Sequence, residues 1–380
     1  MTQQLADPYI RLAAHLDELP AGYPRSESGV ELKILRKLFT PLEAELALHL
    51  TLLGEEAHVV AFRAHQVLEQ VSTMLADMAH RGLVSVNQDN GKPPTYSISQ
   101  FVVGFWEDQV NRLDRELVEL FEEYAPQYFA HGPWTRVPQL RTIPVNEAIP
   151  LTSFVMPYER AEEIVRANTV FAVRNCVCRQ EHHLLDKDCG KPLETCLSFG
   201  SAAASTAKSG KGRLISQQEA LTILETAERH ALVLQPANSQ NPAFLCACCG
   251  CCCGVLRNIK HHAKPADLVA SAFIARHDPD LCIDCGACLD RCQMEALSEQ
   301  QGSIHFNADR CIGCGLCVSE CPTNAMTLVR KSASEQPLIP YNTLHTYVKM
   351  GWQRKKMTPG SLVKLVLRSG AHRILAPRRK

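Results

Sequence analysis

No cysteine occurs before Cys176 and none after Cys321, and the first twenty residues, MTQQLADPYIRLAAHLDELP, contain no apolar segment of the kind a secretory leader needs. A disulfide-stapled secreted scaffold is short and follows such a leader, so that class is excluded and a reducing, cytoplasmic setting is expected. No run approaches the roughly 18 apolar residues of a spanning helix, so no transmembrane segment is expected. No G-x-G-x-x-G follows a strand, and Ser209-Gly210-Lys211-Gly212 lacks the spacing of a Walker loop. Neither a nicotinamide site nor a nucleoside triphosphate site is therefore visible. No Ser-His-Asp order and no H-E-x-x-H helix is present, so catalytic residues stay unassigned, and any substrate chemistry would have to occur at a metal centre.

What is present is a 380-residue chain with 46% hydrophobic residues, enough for two or three ordinary domains. Forty Lys+Arg balance forty Asp+Glu, but the balance is a sum of opposites. From Arg330 onward there are twelve bases and one acid, Glu335, which leaves twenty-eight bases against thirty-nine acids in residues 1–329. The tail bases include Lys349, Arg354, Lys355, Lys356, Lys364, Arg368, Arg373, Arg378, Arg379 and Lys380, with Tyr347, Trp352 and the apolar run Leu362 to Leu367 among them. Interleaved apolar and basic residues suit a docking arm, with Ser361 to Arg368 as a short amphipathic turn. An acidic surface, on this protein or on a redox partner, is the expected target, with a peripheral anionic membrane or nucleic acid as alternatives.

Residues 1–100 lack cysteine and read as a small helical unit ending in a hairpin. Thr40-Pro41-Leu42-Glu43 is a capping box with Pro at the first helical position, which predicts a helix from Pro41 to about Leu50. A second helix is predicted from about Gln66 to His80, burying Val67, Val71, Met74, Leu75 and Met78, with Gly82 as its stop. Leu83 to Val86, an Asn90-Gly91 turn and Thr95 to Ile98 predict two strands. This order resembles a winged helix-turn-helix. A DNA reader needs bases on its recognition helix, whereas Gln66 to His80 offers Glu69 and Asp77, and residues 1–100 carry eight bases against twelve acids. The expectation is a protein-docking or structural winged helix and no contact with DNA.

Phe101 to about Tyr124 reads as one amphipathic helix ending before Pro126, with Val110, Leu113, Leu117, Leu120 and Phe121 on one face. Gly132-Pro133 and Pro138 then break the chain. A helix over Tyr158 to Ala167, a strand over Val170 to Val173, a capped helix from Ser216 to about His230 and a strand over Leu232 to Leu234 follow.

Cys282, Cys285, Cys288 and Cys292 have the spacing C-x2-C-x2-C-x3-C, and Cys311, Cys314, Cys317 and Cys321 repeat it twenty-nine residues later. Ile283 matches Ile312, Gly286 matches Gly315, Ala296 matches Ala325, and Pro322 follows the last cysteine. Over about residues 276 to 330 this resembles the bacterial two-[4Fe-4S] ferredoxin family. The resemblance implies one cluster on Cys282, Cys285, Cys288 and Cys321 and another on Cys311, Cys314, Cys317 and Cys292, each run completing the other's site. Gly286, Gly313 and Gly315 free backbone N–H groups to face sulfur. Gln293 stands where the pattern has Pro, which puts the local turn in question. Zinc knuckles share the C-x2-C spacing, but two pseudo-symmetric four-ligand runs fit separate knuckles poorly.

Ten cysteines lie upstream. Cys176, Cys178, Cys189 and Cys196 fall in RNCVCRQEHHLLDKDCGKPLETCL, and Cys246, Cys248, Cys249, Cys251, Cys252 and Cys253 in FLCACCGCCCG. All ten are candidate metal ligands, although a backbone this compact cannot aim six neighbouring side chains at one point. Further iron-sulfur centres are expected because thiolate-only surroundings suit them. Structural zinc, or a reactive thiol activated by Arg179, His182 and His183, is the alternative. The segment from about residue 150 to 330 is also similar to iron-sulfur proteins of anaerobes, a likeness that brings no reaction with it.

Taken together, the sequence predicts a multidomain α+β protein. Its parts are a winged-helix-like domain (1–100), a connecting helix and linker (101–145), a Cys-rich α/β metal-centre domain (146–275), a ferredoxin-like two-cluster domain (276–330) and a basic docking tail (331–380). The expected function is iron-sulfur electron transfer between a donor and a partner oxidoreductase, more as a subunit than as a standalone catalyst. A redox-sensing transcriptional regulator and a reductase acting at the upstream centre are the alternatives.

Overall fold

A helix begins where a side chain satisfies N–H groups that have no partner in the preceding turn. In the computed structural model, which describes residues 7–88, 91–130, 137–149 and 155–377, Thr40 does this for the helix Pro41–Ala47. Its hydroxyl accepts from the Glu43 N–H at 3.3 Å, and the Glu43 carboxylate accepts from the Thr40 N–H at 2.8 Å. The other Glu43 oxygen pairs with Arg81, so the cap is tied to the end of a second helix, Leu68–His80. That helix buries Val71, Leu75 and Met78. Met74 is half-buried, and Val67, expected inside, is 59% exposed because it is the residue before the first turn.

The chain divides into two compact units, one of residues 1–133 with 347–380 and the other of residues 134–346. In the first, β1 (Glu55–Glu56), β2 (Val84–Asn87) and β3 (Thr95–Ile98) form an antiparallel sheet in the order β1-β3-β2. β2 and β3 are the expected hairpin, and β1 has no sequence signal beyond two glutamates. Asn90 of the expected turn and the Gly132-Pro133 break lie outside the described residues.

The long helix expected from Phe101 to Tyr124 is not formed. Phe101–Phe105 and Glu107–Gln109 are short irregular turns in which Val103 has φ 54°, and the regular helix is Arg115–Ala130. Two polar side chains set the break: the Glu107 carboxylate accepts from the Gly104 N–H at 2.8 Å, and Asp114 accepts from the Leu117 N–H at 2.8 Å, starting the helix late. Phe101, Phe105 and Trp106 are buried together, with Trp106 stacked on Phe121 at 4.1 Å between ring centroids. That burial rewards a bent path more than a straight helix would. Pro126 sits inside Arg115–Ala130, where burial of Tyr124, Ala125, Tyr128 and Phe129 outweighs the hydrogen bond it removes.

The basic tail beyond Gln353 is ordered within this same unit. Helix Pro359–Leu375 begins at the Thr358 cap. Arg354 donates to the carbonyls of Asp17 and Leu19 at 2.7 and 2.6 Å and to the Asp17 carboxylate at 2.8 Å. Ser369 donates to Glu55 at 2.7 Å, Arg373 to the Gly54 carbonyl at 2.8 Å, and Arg63 to His372 at 3.0 Å. The Ser361 to Arg368 turn is thus part of a seventeen-residue helix. Arg378, Arg379 and Lys380 lie outside the described residues.

The second unit is built on a five-stranded sheet in the order β6-β4-β5-β8-β7, from β4 (Phe171–Asn175), β5 (Glu194–Phe199), β6 (Arg213–Ile215), β7 (Val233–Pro236) and β8 (Phe244–Cys248). Every pair in this sheet is antiparallel. The Cys-rich region, expected as α/β, is therefore α+β: its helices do not serve as crossovers between parallel strands. β9 (Phe273–His277) pairs with β12 (Met326–Arg330), and β10 (Leu297–Gln300) with β11 (Ser303–Phe306). One apolar core joins the five-stranded sheet to the β9/β12 pair, running from Val173, Leu197 and Leu245 to Met294, Ile312, Leu316 and Leu328, while Leu297 and Ile304 of the β10/β11 pair lie in a second cluster with Ala275 and Met326. Among the described residues no helix is long and apolar enough to cross a membrane.

Candidate metal centres

The two C-terminal cysteine runs repeat in backbone as well as in sequence. Asp284 and Gly313, Gly286 and Gly315, and Glu295 and Asn324 all have positive φ, and each pair is twenty-nine residues apart. Gly313 is required by space as well as torsion, since a Cβ there would lie 2.2 Å from the Phe273 carbonyl oxygen. This turn presses the second run against β9, whose Ala275 N–H donates to the Cys311 sulfur at 3.4 Å.

The strands that flank the runs carry each fourth cysteine across to the other run. A cavity of about 320 Å³ is lined by Cys282, Cys285, Cys288 and Cys321. A second, of about 370 Å³, is lined by Cys292, Cys311, Cys314 and Cys317. Backbone N–H groups point at the returning sulfurs: Ala296 to Cys292 at 3.2 Å and Met326 to Cys321 at 3.3 Å. Burial raises the pKa of Cys321, and the N–H groups of Met326, Thr323 and Ala325 reverse the shift and bring it below the ordinary thiol value. Burial also pushes Cys314 up to about 12. A bare thiol at that position stays protonated, so charge appears there only when a metal displaces the proton. Residues 275–328 match the family described as the 4Fe-4S dicluster domain. Such a domain holds two [4Fe-4S] clusters, and the two four-cysteine cavities fit that content. No curated protein and no solved structure matches the chain.

Gln293, which replaces the usual Pro of the dicluster pattern, has a structural role. Its side-chain oxygen accepts from the Gly250 N–H at 2.8 Å, and a Cβ on Gly250 would lie 2.2 Å from the Gln293 carbonyl oxygen. A proline could not supply that amide. The residue following Cys292 thereby joins the dicluster domain to the upstream CACCGCCC loop.

The ten upstream cysteines fall into two sets. The sulfurs of Cys189, Cys249, Cys251 and Cys252 all lie within 4.8 Å of one another and could hold a further metal. Hydrogen bonds from Cys251 and Cys252, helped by the charge of Arg179, lower the Cys249 pKa below the ordinary thiol value. Cys251 is exposed, while Cys249 and Cys252 are buried. The other six form a line of contacts in which Cys176 meets Cys178, Cys178 meets Cys253, Cys253 meets Cys248, and Cys248 meets Cys246. The line ends on the β5/β8 rung, where Cys196 and Cys246 are register partners with sulfurs 3.7 Å apart.

Of the three residues expected to activate a thiol, only Arg179 is set among sulfurs. It is 2% exposed and donates to Pro192 O at 2.8 Å, Thr195 Oγ1 at 2.6 Å and Ala247 O at 2.8 Å. His182 is buried, 2.9 Å from Arg257, and His183 lies 3.5 Å from Asp188 at the surface. Gln235, whose amide is 3.9 Å from the Cys253 sulfur, and Arg174, which donates to Cys196 at 3.4 Å, had no sequence signal beyond proximity to a cysteine or a strand.

Proposed function

We propose that the chain relays low-potential electrons between a donor and a partner oxidoreductase, with the dicluster domain as the conduit and the Cys176 to Cys253 region as its terminus or starting point. An iron-sulfur electron-transfer role follows from the dicluster domain itself; the direction and the partner are the proposed part. The observation that carries the reading is the unequal burial of the two cysteine sets. Cys285 is exposed, Cys282 and Cys321 are half-buried, and the adjoining Leu281 and Ile283 are 50% and 63% exposed. Only Cys288 of that set is buried, whereas Cys311 and Cys317 of the other set are both buried, Cys314 and Cys292 are half-buried, and Cys292 leads through Gln293 to the upstream loop.

A [4Fe-4S] cluster supplies reversible uptake of single electrons. The residues of this chain supply a surface port at one end and, at the other, a path of covalent and hydrogen bonds from Cys292 through Gln293 to Gly250 and its flanking cysteines. Asp280, Asp284 and Asp290 are exposed around the port, which favours a partner with a basic rim and steers its approach. Lys364 and Arg368, exposed beside Val363, Val366 and Leu367 on the tail helix, support a second docking surface for an acidic partner. The order of a helix, β1, two helices and a hairpin within residues 41–98 supports a winged-helix-like scaffold, and its excess of acids supports protein docking over DNA. Exchange-labile thiolate sites of this number suit an anaerobic, reducing cytoplasm.

The test is reduction of the anaerobic holoprotein by dithionite, followed by EPR, and then mixing with an oxidised one-electron acceptor of basic surface such as a c-type cytochrome. The expected result is cubane-type signals that disappear on mixing, at a rate that falls as salt rises. Clusters that stay oxidised, or a rate indifferent to salt, count against the reading.

A further inference from the structure

Among the described residues, Cys189, Cys249, Cys251 and Cys252 alone form a set whose ligating atoms all lie within 4.8 Å of one another. A tetrahedral S4 site with metal–sulfur bonds of about 2.3 Å has sulfur–sulfur edges near 3.8 Å, so this compact set fits a single ion. Among the described residues neither the eight dicluster cysteines nor the other six upstream cysteines form such a mutually close set, although Cys196 and Cys246 are 3.7 Å apart. The contacts of the six run in a line from Cys176 to Cys196, and none of them is exposed. Six thiolates exceed what one tetrahedral ion can use.

A second observation points to bound metal. Arg179 carries a guanidinium that is 2% exposed, its Nε has no partner, and no carboxylate pairs with it among the described residues. Its charge faces Cys176, Cys249 and Cys248. A buried guanidinium set beside these sulfurs is placed to balance the negative charge of a metal–thiolate centre. Arg179 touches both sets, Cys249 in the compact one and Cys176 and Cys248 in the line, so it is placed as a shared counter-ion. The N–H donors that Arg174 and Gln235 present to Cys196 and Cys253 are of the kind that stabilise cluster sulfur.

We propose that Cys176, Cys178, Cys196, Cys246, Cys248 and Cys253 form a third, polynuclear iron-sulfur centre, distinct from a single-ion site on Cys189, Cys249, Cys251 and Cys252, with Arg179 as the counter-ion between them. The proposal is independent of the electron-relay reading, because it is tested by counting atoms. Iron, acid-labile sulfide and zinc are measured per chain in the anaerobically prepared full-length protein. The dicluster domain alone accounts for about eight irons and about eight sulfides. The proposal expects clear excesses of both over that figure; about eight of each, or an excess metal unaccompanied by sulfide, overturns it, and neither result depends on any variant folding. Cys196→Ser/Cys246→Ser then removes the excess sulfide and iron but leaves the reduced dicluster EPR signals, while Cys251→Ser loses one metal ion and no sulfide. Sulfide loss in the second variant, or none in the first, overturns the division of ligands. Arg179→Met shifts the midpoint potential of the added centre to more negative values and Arg179→Lys restores most of the shift, whereas an unchanged potential removes Arg179 from the proposal.

Discussion

Gly250→Ala tests the joint between the upstream loop and the dicluster domain. The backbone of Gly250 lies outside the left-handed region, so the substitution brings no torsional penalty and its effect is steric. The new Cβ would stand 2.2 Å from the Gln293 carbonyl oxygen, 3.1 Å from its carbon and 3.3 Å from its Cα. All three are backbone atoms, so no side chain can rotate away. The loop must retreat by about 0.8 Å merely to reach the 3.0 Å below which real Cβ contacts are not found. Overpacking of this kind costs about 1–3 kcal/mol. The retreat also stretches the 2.8 Å bond from the Gly250 N–H to the Gln293 side chain, and at about 3.6 Å it has ceased to be a hydrogen bond. A buried donor left without a partner costs roughly 1–3 kcal/mol. The two costs share one displacement, so a combined loss of about 2–4 kcal/mol is expected, a roughly 30- to 1,000-fold increase in local opening. Hydrogen–deuterium exchange of the anaerobic holoprotein over residues 246–253 and 292–296 reads this directly. Gln293→Ala, which removes the bond without the clash, is expected to give only the smaller part. Unchanged protection in Gly250→Ala would refute the close approach on which the proposed path depends.

The crossed ligand pairing predicts that Cys282→Ser and Cys321→Ser leave the same residual EPR spectrum, and that Cys292→Ser and Cys311→Ser share the other; spectra that group by run instead would contradict the two cavities. In the first unit, Glu55 and Arg63 form a buried ion pair whose side chains are 0% and 4% exposed, with Glu55 also accepting from Ser369. Glu55→Gln is expected to destabilise that unit by about 3–5 kcal/mol in thermal unfolding, and Glu55→Leu/Arg63→Met to recover most of the loss. The same pair sets a pH dependence: burial raises the Glu55 pKa, but the hydrogen bonds of Arg63 and Ser369 and the Arg63 charge more than reverse this and leave it below the ordinary value. Its contribution is therefore full above about pH 4.3, the unfolded value, and is lost as pH falls through the lower folded value. Glu55→Gln should flatten that acid limb. Gly370, within helix Pro359–Leu375, faces open space, with no atom within 4 Å of the position a Cβ would take. Gly370→Ala should therefore stabilise the helix by about 0.5–1 kcal/mol, and a lower melting temperature would show that the site is crowded.

Sequence signals are legible where the chemistry is local. The Thr40 capping box, the Ser216 cap and the hairpin strands answer to side chains within three or four residues of the backbone groups they serve. The duplicated cysteine spacing is local in the same sense, since three ligands per run sit on one turn of chain. The Phe101 to Tyr124 stretch goes the other way. Its apolar periodicity suits a helix, but the aromatic side chains of Phe101, Phe105 and Trp106 find more burial in a bent path, and Glu107 and Asp114 satisfy the backbone groups the bend releases. The two glutamates of β1 are silent in the sequence because their strand exists only by pairing with Thr95 and Tyr96.

The sequence by itself determined that this protein carries paired four-cysteine runs, where their glycines must fall, and that an acidic body is joined to a basic tail. Only the tertiary structure decided how ten further cysteines are shared out. Within CACCGCCC, Cys249, Cys251 and Cys252 turn to Cys189 while Cys246, Cys248 and Cys253 turn to Cys196 and Cys178. Which sulfur meets which depends on the register of β5 against β8 and on where Gln293 holds Gly250. Spacing along the chain cannot encode those contacts, because they join residues forty or more positions apart and arise from sheet pairing and packing.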